Sequence, residues 1–262
     1  MANLNRELAP IPDKAWEFID EEAREALSIH LVGRKVVDFV GPKGIDFSAV
    51  NTGRWEELDE TDGVSYAKRD VMPLVELEIP FTLERKEIEA LVRGAEDVDS
   101  DNLVEATKKL AKAENNAIFN GLESANIDGI LEEVEIDPIK VGDDLVAAVA
   151  SGVKTLITGN EVEGPYTLLL GPDKYASIYE SDDNGYPIKK RLEDVIGVEV
   201  IPAPILGDKG LLISTAGEDF ELIVGQDTAI GYRGQNGSEL EFFLTESFTF
   251  KINAPEAAVV LE

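Results

Sequence analysis

The sequence lacks cysteine altogether and contains a single histidine in 262 residues. Without cysteine the chain cannot form disulfides, thiolate metal sites or a cysteine nucleophile. A Ser-His-Asp triad would have to use His30, which falls inside a predicted amphipathic helix with no nucleophile motif beside it. A metal site would need almost only carboxylate ligands, which suit magnesium, calcium or manganese better than zinc. These absences argue against the common types of enzyme active site.

Sequence motifs for nucleotides and for calcium are also missing. No GxxxxGKS or GxxxxGKT loop occurs, and no GxGxxG follows a predicted strand. Asp97, Asp99 and Asp101 alternate like the start of an EF-hand calcium loop. However, Asn102 stands where that loop requires glycine, and Lys108 stands where it requires glutamate. We therefore predict no catalytic residue and no metal site, and we expect the chain not to be an enzyme.

Basic residues are scarce: 24 lysines and arginines stand against 53 aspartates and glutamates, a formal net charge of -29. Such a charge repels phosphate backbones and anionic lipids, so we expect neither nucleic acid nor membrane partners. It also opposes self-association, which would need large apolar contacts or screening by salt. A saline habitat is an alternative origin of the acidic surface. The start of the chain has no apolar core of a secretory signal, and no run of about 18 apolar residues occurs, which favours a cytoplasmic protein.

Hydrophobic residues make up 44% of the chain, enough for one large core or two smaller ones. The clearest element is a long helix over residues 100–122, about 30 Å long at ~1.5 Å per residue. Its small apolar positions recur at steps of three and four: Leu103, Ala106, Leu110, Ala113, Ala117 and Gly121. We expect Asn115, Asn116 and the lysines to face away from the core. From periodicity alone this is an ordinary amphipathic core helix.

The remaining N-terminal half alternates further helices and strands. Helices are predicted over residues 13–32 and 84–93, and strands over 36–40 and 75–83, where Pro80 indicates an edge or a bulge. Residues 41–70 are rich in glycine, acids and scattered aromatics, a composition that predicts a projecting β-hairpin or extended arm. The aromatics of the arm either return to their own domain or pack on another subunit.

From residue 143 the pattern is of α/β type and predicts an inserted second domain. It comprises helices over 143–158, 172–179 and 189–196, a polar loop over 180–187, and strands over 166–170, 198–201, 211–214 and 221–224. The chain then returns to a long strand over 240–252, in which Glu246 breaks the apolar register. The apolar residues 257–261 are expected to dock on the protein.

Eight ordered stretches resemble the encapsulins, bacterial and archaeal shell proteins also known as linocin-type bacteriocins. They include LAPIPDKAWEFIDEEAREAL at 8–27, LVGRKVVDFVGPKG at 31–44, PLVELEIPFTLERKEIEALVRG at 73–94 and AKAENNAIFNG at 111–121. Further along are EGPYTLLLGPDKY at 163–175, DNGYPIKKRLEDV at 183–195, GEDFELIVGQDTAIGY at 217–232 and LTESFTFKINAPEAAVVL at 244–261. No single motif is specific, but eight in register span the whole chain.

The resemblance implies an α+β fold of the HK97 phage-capsid type. Residues 1–40, 73–133 and 223–262 would form a peripheral domain, with the helix over 100–122 as its spine. Residues 41–72 would form the extended loop, and 134–222 the axial domain. About 60 copies would close into an icosahedral nanocompartment that encloses a cargo enzyme, a dye-decolourising peroxidase or a ferritin-like iron oxidase. One alternative is a phage or prophage capsid that packages DNA. Another is a secreted bacteriocin or protease, but the missing secretory signal and the missing catalytic residues argue against it.

The resemblance also implies two sites. A short terminal peptide of the cargo would dock on the inner wall, in a pocket formed by Leu27, Leu31, Arg34, Asp38, Ile230 and Tyr232. In the alternative interpretation, the apolar members are plain core and Arg34 pairs with Asp38. The axial loop would line a five-fold pore that attracts cations through Asp182, Asp183, Asn184, Gly185 and Tyr186; a solvated polar loop is the alternative.

One departure concerns a cofactor. Some family members bind flavin on the outer surface through an aromatic residue in the helix that follows the FTL strand. Here Arg85 and Lys86 occupy that region. We therefore expect no flavin and no other cofactor in the shell itself, and we assign no covalent crosslink of the phage type.

Overall fold

The structure, a computed structural model, describes residues 4–142, 144–180, 182–183 and 186–262. Its helices are α1 (Asp13–His30), α2 (Arg85–Arg93), α3 (Asp101–Asn120), α4 (Ile130–Glu133), α5 (Leu145–Gly159), α6 (Pro172–Glu180) and α7 (Ile188–Lys190). The first strands are β1 (Asp38–Val40), β2 (Ala49–Thr61), β3 (Val64–Pro73), β4 (Val75–Glu84), β5 (Tyr166–Leu170), β6 (Asp182–Asp183) and β7 (Tyr186–Pro187). The later strands are β8 (Val198–Pro202), β9 (Gly210–Ser214), β10 (Phe220–Val224), β11 (Ala229–Asn236), β12 (Glu239–Ile252) and β13 (Ala258–Leu261).

The long strand β12 organises the first sheet. One edge of β12 pairs antiparallel with β4, and the other pairs antiparallel with β11 and then with β10. β1 lies parallel to β10 at the far end. Among the described residues β4 pairs only with β12, so it is an edge strand, as Pro80 predicted. Its exposed positions are Glu76, Glu78 and Pro80, whereas Phe81 and Leu83 are buried.

The helices α1 and α3 cover this sheet. Their apolar stripes pack on an aromatic group in which Trp16, Phe81 and Tyr232 surround Phe242 at centroid distances of 5.6, 5.4 and 5.7 Å. The predicted helix over 13–32 is confirmed, although α1 ends at His30, where the chain turns into a short 3-10 helix. The predicted spine helix is also confirmed, as α3.

The buried face of α3 is less apolar than its periodicity predicted. Asn115 was expected to face away from the core, which is wrong, because it is buried. Its side-chain oxygen accepts a hydrogen bond from the Gly33 N–H at 2.9 Å, and its nitrogen donates to the His30 carbonyl at 2.8 Å. Asn115 thus satisfies backbone groups where α1 ends. Glu114 is buried beside it, and Ala113 is only half-buried.

The predicted arm is a β-hairpin. β2 and β3 pair antiparallel with each other and belong to no larger sheet among the described residues. Most of their side chains are exposed, including Trp55 at 68% and Tyr66 at 50% of their surface. The hairpin aromatics therefore do not return to the core of their own chain.

The second sheet has the order β13-β9-β5-β8, with β5 parallel to β8 and antiparallel to β9. Helix α5 packs on it through Val149 and Leu156, which are completely buried. The predicted helix over 189–196 differs in form, because α7 passes into a wider π-helical turn at Arg191–Ile196.

Sheet membership differs from the predicted division at two borders. β13 pairs with β9 in the second sheet, although the division placed residues 223–262 with the first unit. All four of its residues are buried, which suits a strand covered on both faces. Conversely, β10 begins at Phe220 and belongs to the first sheet, whereas residues 220–222 fell in the predicted axial domain. The assignment of peripheral domain, extended loop and axial domain otherwise stays a prediction.

Candidate functional site

A cavity of about 480 Å³ lies between the C-terminal half of α1 and strand β11. One wall carries Ala23, Leu27 and Leu31, which follow each other at steps of four and so lie on one face of the helix. The other wall carries Ile230 of β11 and Leu244 of β12, which are paired across the sheet. These side chains give the cavity apolar walls.

One end of the cavity is charged and is organised by Arg34. Its Nη2 donates to Glu114 at 2.7 Å and also to Glu246, and its Nη1 donates to Asp227 at 2.9 Å. The guanidinium also stacks over the ring of Phe39 at 4.9 Å. The side chains of Glu114 and Glu246 are fully buried, whereas that of Asp227 is 43% exposed. We call Arg34, Glu114, Asp227 and Glu246 the arginine cluster.

Burial and neighbouring charges shift the pKa of two members of this cluster, Glu246 and Arg34. Burial raises the pKa of Glu246 well above its ordinary value, and the neighbouring charge of Glu114 raises it further, while Arg34 opposes both. Burial alone would lower the pKa of Arg34, but its hydrogen bond to Glu114 and the charges of Glu114 and Glu246 outweigh burial and raise it. Glu246 Oε2 has no hydrogen-bond partner in the described part of the protein.

Four of the six residues predicted for the pocket line this cavity: Leu27, Leu31, Arg34 and Ile230. Asp38 does not; its carboxylate accepts the Glu218 N–H at 2.5 Å and lines a separate cavity of about 210 Å³. Tyr232 is buried against Phe242 behind the cavity wall. The alternative pairing of Arg34 with Asp38 is replaced by the arginine cluster. Peptide binding by the residues that line the cavity stays a prediction.

The sequence analysis did not assign the other lining residues to the pocket: Arg6, Asp20, Ala23, Arg24, Ser28, Asp227, Thr228, Ala229 and Leu244. Arg6 pairs with Asp20 at 2.7 Å and covers the ring of Trp16 at 4.0 Å. Asp20, Arg24 and Ser28 recur at steps of four, so the periodicity of α1 could have placed them along one edge of the cavity. For Glu246, the signal in the sequence was that it interrupts the apolar alternation of β12.

The segment before α1 contacts strand β11. The backbone N–H of Tyr232 donates to the carbonyl of Leu4 at 2.7 Å. This bond lies on the outer edge of β11, opposite to the edge that pairs with β12.

The predicted pore loop forms a small two-stranded ladder, in which β6 and β7 pair Asp183 with Tyr186. Asp182 pairs with Pro187. Asn184 and Gly185 lie outside the described residues. The role of all five predicted pore residues stays a prediction.

Within the ranges that the structure describes, no group of three or more histidine, aspartate or glutamate side chains is placed to hold a metal ion. His30 lies at the end of α1 and contributes its backbone carbonyl to Asn115. No described helix is both long and apolar enough to cross a membrane.

Residues 1–249 match the protein family described as "encapsulating protein for peroxidase". The chain is 41% identical to a type 1 encapsulin shell protein of Brevibacterium linens, with 100% of this chain and 99% of the relative covered. It is likewise 41% identical to the type 1 encapsulin shell protein of Rhodospirillum rubrum, with 100% and 96% covered. The chain belongs to the encapsulin shell protein family. This encapsulin is therefore a structural shell protein and not an enzyme.

Solved structures show the fold of this encapsulin to be that of HK97-type capsids. The virus-like particle of Pyrococcus furiosus matches with a TM-score of 0.64 at 22% identity, over 92% of this chain and 98% of that chain. The capsid of the myophage XM1 matches with a TM-score of 0.57 at 12% identity, over 88% and 91% of the two chains. The encapsulin complex of Synechococcus elongatus matches with a TM-score of 0.52 at 13% identity, over 87% and 85%.

Proposed function

We propose that this encapsulin assembles in the cytoplasm into a closed icosahedral shell of 60 copies that encloses a cargo enzyme. Membership in a family of shell proteins supports this, as does the likeness to a virus-like particle. The family description names a peroxidase as the enclosed protein, which favours a dye-decolourising peroxidase over a ferritin-like iron oxidase as cargo.

The cavity between α1 and β11 is the proposed docking site for a short terminal peptide of the cargo. The observation that carries the proposal is the combination of apolar walls and one charged end in a single cavity. Leu27, Leu31 and Ile230 would anchor apolar side chains of the peptide, since burying them removes apolar surface from water. Arg34 is already engaged by three carboxylates, so the half-exposed Asp227 is the proposed polar contact.

Asp38 and Tyr232 have indirect roles in this proposal. Asp38 holds the Glu218 backbone at the neighbouring cavity, and Tyr232 fills the space behind β11. Both would position the walls of the docking site without touching the peptide.

The loop that contains Asp182, Asp183 and Tyr186 is the proposed lining of a five-fold pore. Carboxylates repeated around a ring attract cations, which would favour the entry of ferrous iron. We further propose that the shell carries no flavin or other cofactor: Arg85 stands in the relevant helix and pairs with Glu89 at 3.1 Å. The acidic charge and the 41% identity to encapsulin shells favour a protein compartment over a capsid that packages DNA.

Electron microscopy and native mass spectrometry of the purified protein test the assembly. The expected result is closed megadalton particles of 60 copies without nucleic acid absorbance. A 28.5 kDa monomer at every salt concentration would contradict the shell. Particles filled with DNA would assign the protein to the capsid alternative.

Docking is tested by filling the cavity. Ser28 lines it from the exposed side of α1, so Ser28→Trp is expected to block the cavity without disturbing the core. Shells of this variant should form normally but lose co-purified cargo, whereas the matched control Ser28→Ala should retain it. An unchanged amount of cargo in Ser28→Trp shells would contradict the proposal that this cavity is the docking site.

A further inference from the structure

We propose that a further cavity, at the end of α1, binds a small apolar molecule that carries one carboxylate group. Lys112 and Asn115 of α3 would hold the carboxylate, and apolar side chains would surround the rest of the ligand. The proposed function assigns nothing to this cavity, so the inference goes beyond it.

The cavity has a volume of about 650 Å³. Its walls are the end of α1, the middle of α3 and the turn over residues 202–207 that follows β8. It therefore lies where the helices of the first sheet meet a loop of the second sheet. Its volume falls within the roughly 300–1,000 Å³ of small-molecule sites, which often lie at such junctions.

Helix α1 separates this cavity from the proposed docking site. Ile29 lines the present cavity, whereas Leu27, two residues earlier, lines the docking cavity. Because an α-helix has about 3.6 residues per turn, side chains two residues apart point to nearly opposite sides. Substitutions in the present cavity are therefore expected to leave cargo docking unchanged.

The apolar part of the wall is held in place by the fold. It comprises Ile29, Val32, Pro202, Pro204 and Ile205. The two prolines have a fixed φ angle, and Pro204 starts a short 3-10 turn that is anchored by the buried Leu206. On the opposite wall, Asn115 ties α3 to the end of α1. Walls that are already ordered lose little conformational freedom when a ligand binds.

The charge of the wall selects an anion. The titratable side chains among its lining residues are His30 and Lys112, and none of the lining residues is an aspartate or glutamate. This is unusual in a chain with 53 acidic and 24 basic residues. Lys108 and Lys109 precede Lys112 by four and three residues, so the three lysines share one side of α3 and repel one another. A bound anion would relieve this repulsion.

Asn115 supplies a second polar group for the same anion. It follows Lys112 by three residues, so the two side chains are neighbours on α3 and both line the cavity. Its Nδ2 donates to the His30 carbonyl at 2.8 Å, and since an amide nitrogen has two N–H groups, one is left for a ligand. One oxygen of a carboxylate can accept from Lys112 and the other from Asn115, in charge-assisted hydrogen bonds.

The single ammonium group also limits the charge of the ligand. A phosphate group with two negative charges would leave one of them unpaired beside apolar walls, which is unfavourable. A carboxylate on an apolar chain or ring matches both the cation and the walls. The inferred ligand class is therefore the apolar monocarboxylates.

Three small probes test the inference on the unmodified protein. Octanoate combines a carboxylate with an apolar chain, octylamine has an apolar chain with an ammonium group, and acetate lacks the chain. We expect octanoate to bind to empty assembled shells in isothermal titration calorimetry, and octylamine and acetate not to bind. Absence of octanoate binding would overturn the inference, and so would equal binding of octylamine.

A matched pair of variants assigns the binding to this cavity. Lys112→Gln removes the cation on the wall, and about tenfold or more weaker binding of octanoate is expected, as for one lost hydrogen bond to a charged group. Lys109→Gln removes the same charge from an exposed position that does not line the cavity, and its affinity should be little changed. Equal affinities of the two variants would overturn the assignment.

Two further measurements keep the outcomes distinct. Ile29 is 64% exposed, so Ile29→Asp should place a carboxylate on the wall without disturbing the core. Its shells should not bind octanoate, whereas those of Ile29→Val should bind it; binding by both would overturn the inference. The cargo content of all these shells should equal that of the parent, so failure of this inference would leave the docking proposal intact. If Lys112→Gln does not form shells, the three probes and the Ile29 pair still decide.

Discussion

The arginine cluster and the β2–β3 hairpin differ in whether their side chains find partners within the same subunit. Arg34 is 18% exposed and satisfied by three carboxylates from its own chain. The hairpin exposes Trp55 and Tyr66 and pairs only with itself among the described residues. The first region is complete within a single subunit, whereas the second has apolar surface that only another molecule can cover. Folding and assembly are therefore expected to respond to different substitutions.

The largest expected effect is on assembly. Trp55→Asp combined with Tyr66→Asp should abolish closed particles, because it places charge on the apolar surface of the hairpin in a chain that already carries -29. The far-UV circular dichroism of the subunit should be unchanged, since both side chains are exposed. Size-exclusion chromatography measures the particles, and Trp55→Phe with Tyr66→Phe is the matched control. Normal particles from the aspartate variant would mean that the hairpin does not mediate assembly.

Arg34→Met should have the reverse effect, on folding. It leaves Glu114 buried without its cation and Glu246 without its hydrogen-bond donor, which costs about 3–5 kcal/mol for a broken buried pair. Urea denaturation should show a much lower midpoint and a reduced soluble yield. The control is Arg24→Met: Arg24 is 68% exposed and pairs with an exposed Glu21, so less than about 1 kcal/mol is expected. Equal midpoints of the two variants would contradict the importance of the cluster.

Glu246→Gln tests whether Glu246 titrates in the folded protein, through the pH dependence of the stability. Because the folded-state pKa of Glu246 is raised, the stability that its proton provides is complete below about pH 4.5, the ordinary value for glutamate. It is lost as the pH rises through the raised folded-state pKa, with a slope of at most about 1.4 kcal/mol per pH unit.

The glutamine variant resembles the protonated acid and lacks this loss. We therefore expect its stability relative to the parent to increase from pH 5 to pH 8, as measured by urea midpoints across that range. Glu76→Gln is the control, because Glu76 is exposed on β4. A constant difference between Glu246→Gln and the parent across the range would mean that Glu246 does not titrate there.

The smallest expected effect comes from ionic strength. At 0.1 M salt, exposed charges on neighbouring subunits that lie more than about 10 Å apart are largely screened from each other. Buried pairs are screened much less. Lowering the salt concentration should loosen the particles, seen as a decrease in light scattering, while the fold of each subunit persists by circular dichroism. Particles that tighten at low salt would contradict the role assigned to the net charge.

The sequence predicts those features that depend on local periodicity. The stripe of Trp16, Ile19, Ala23 and Leu27 predicted α1, and the alternation along residues 75–83 predicted β4 and its buried face. Helix α3 was predicted within two residues at each end. These elements are determined by the 3.6-residue and two-residue repeats of apolar side chains.

The site could be predicted only in part, because its polar contacts are distant in the chain. Arg34 meets Glu114, Asp227 and Glu246 across separations of 80, 193 and 212 residues, and no spacing rule connects them. Asn115 was misplaced for the same reason: its partners are backbone groups at the end of α1. The four apolar and basic residues that reach the cavity came from family resemblance, and Asp38 shows that resemblance alone does not give side-chain contacts.

The edge strand β4 has a consequence for the time before a shell closes. In a free subunit, an open sheet edge is a template for uncontrolled growth into aggregates. Glu76 and Glu78 place negative charge along this edge, and Pro80 lacks the N–H that a foreign strand would need. These three residues act as gatekeepers, so that an unassembled subunit persists in solution until its proper neighbours arrive.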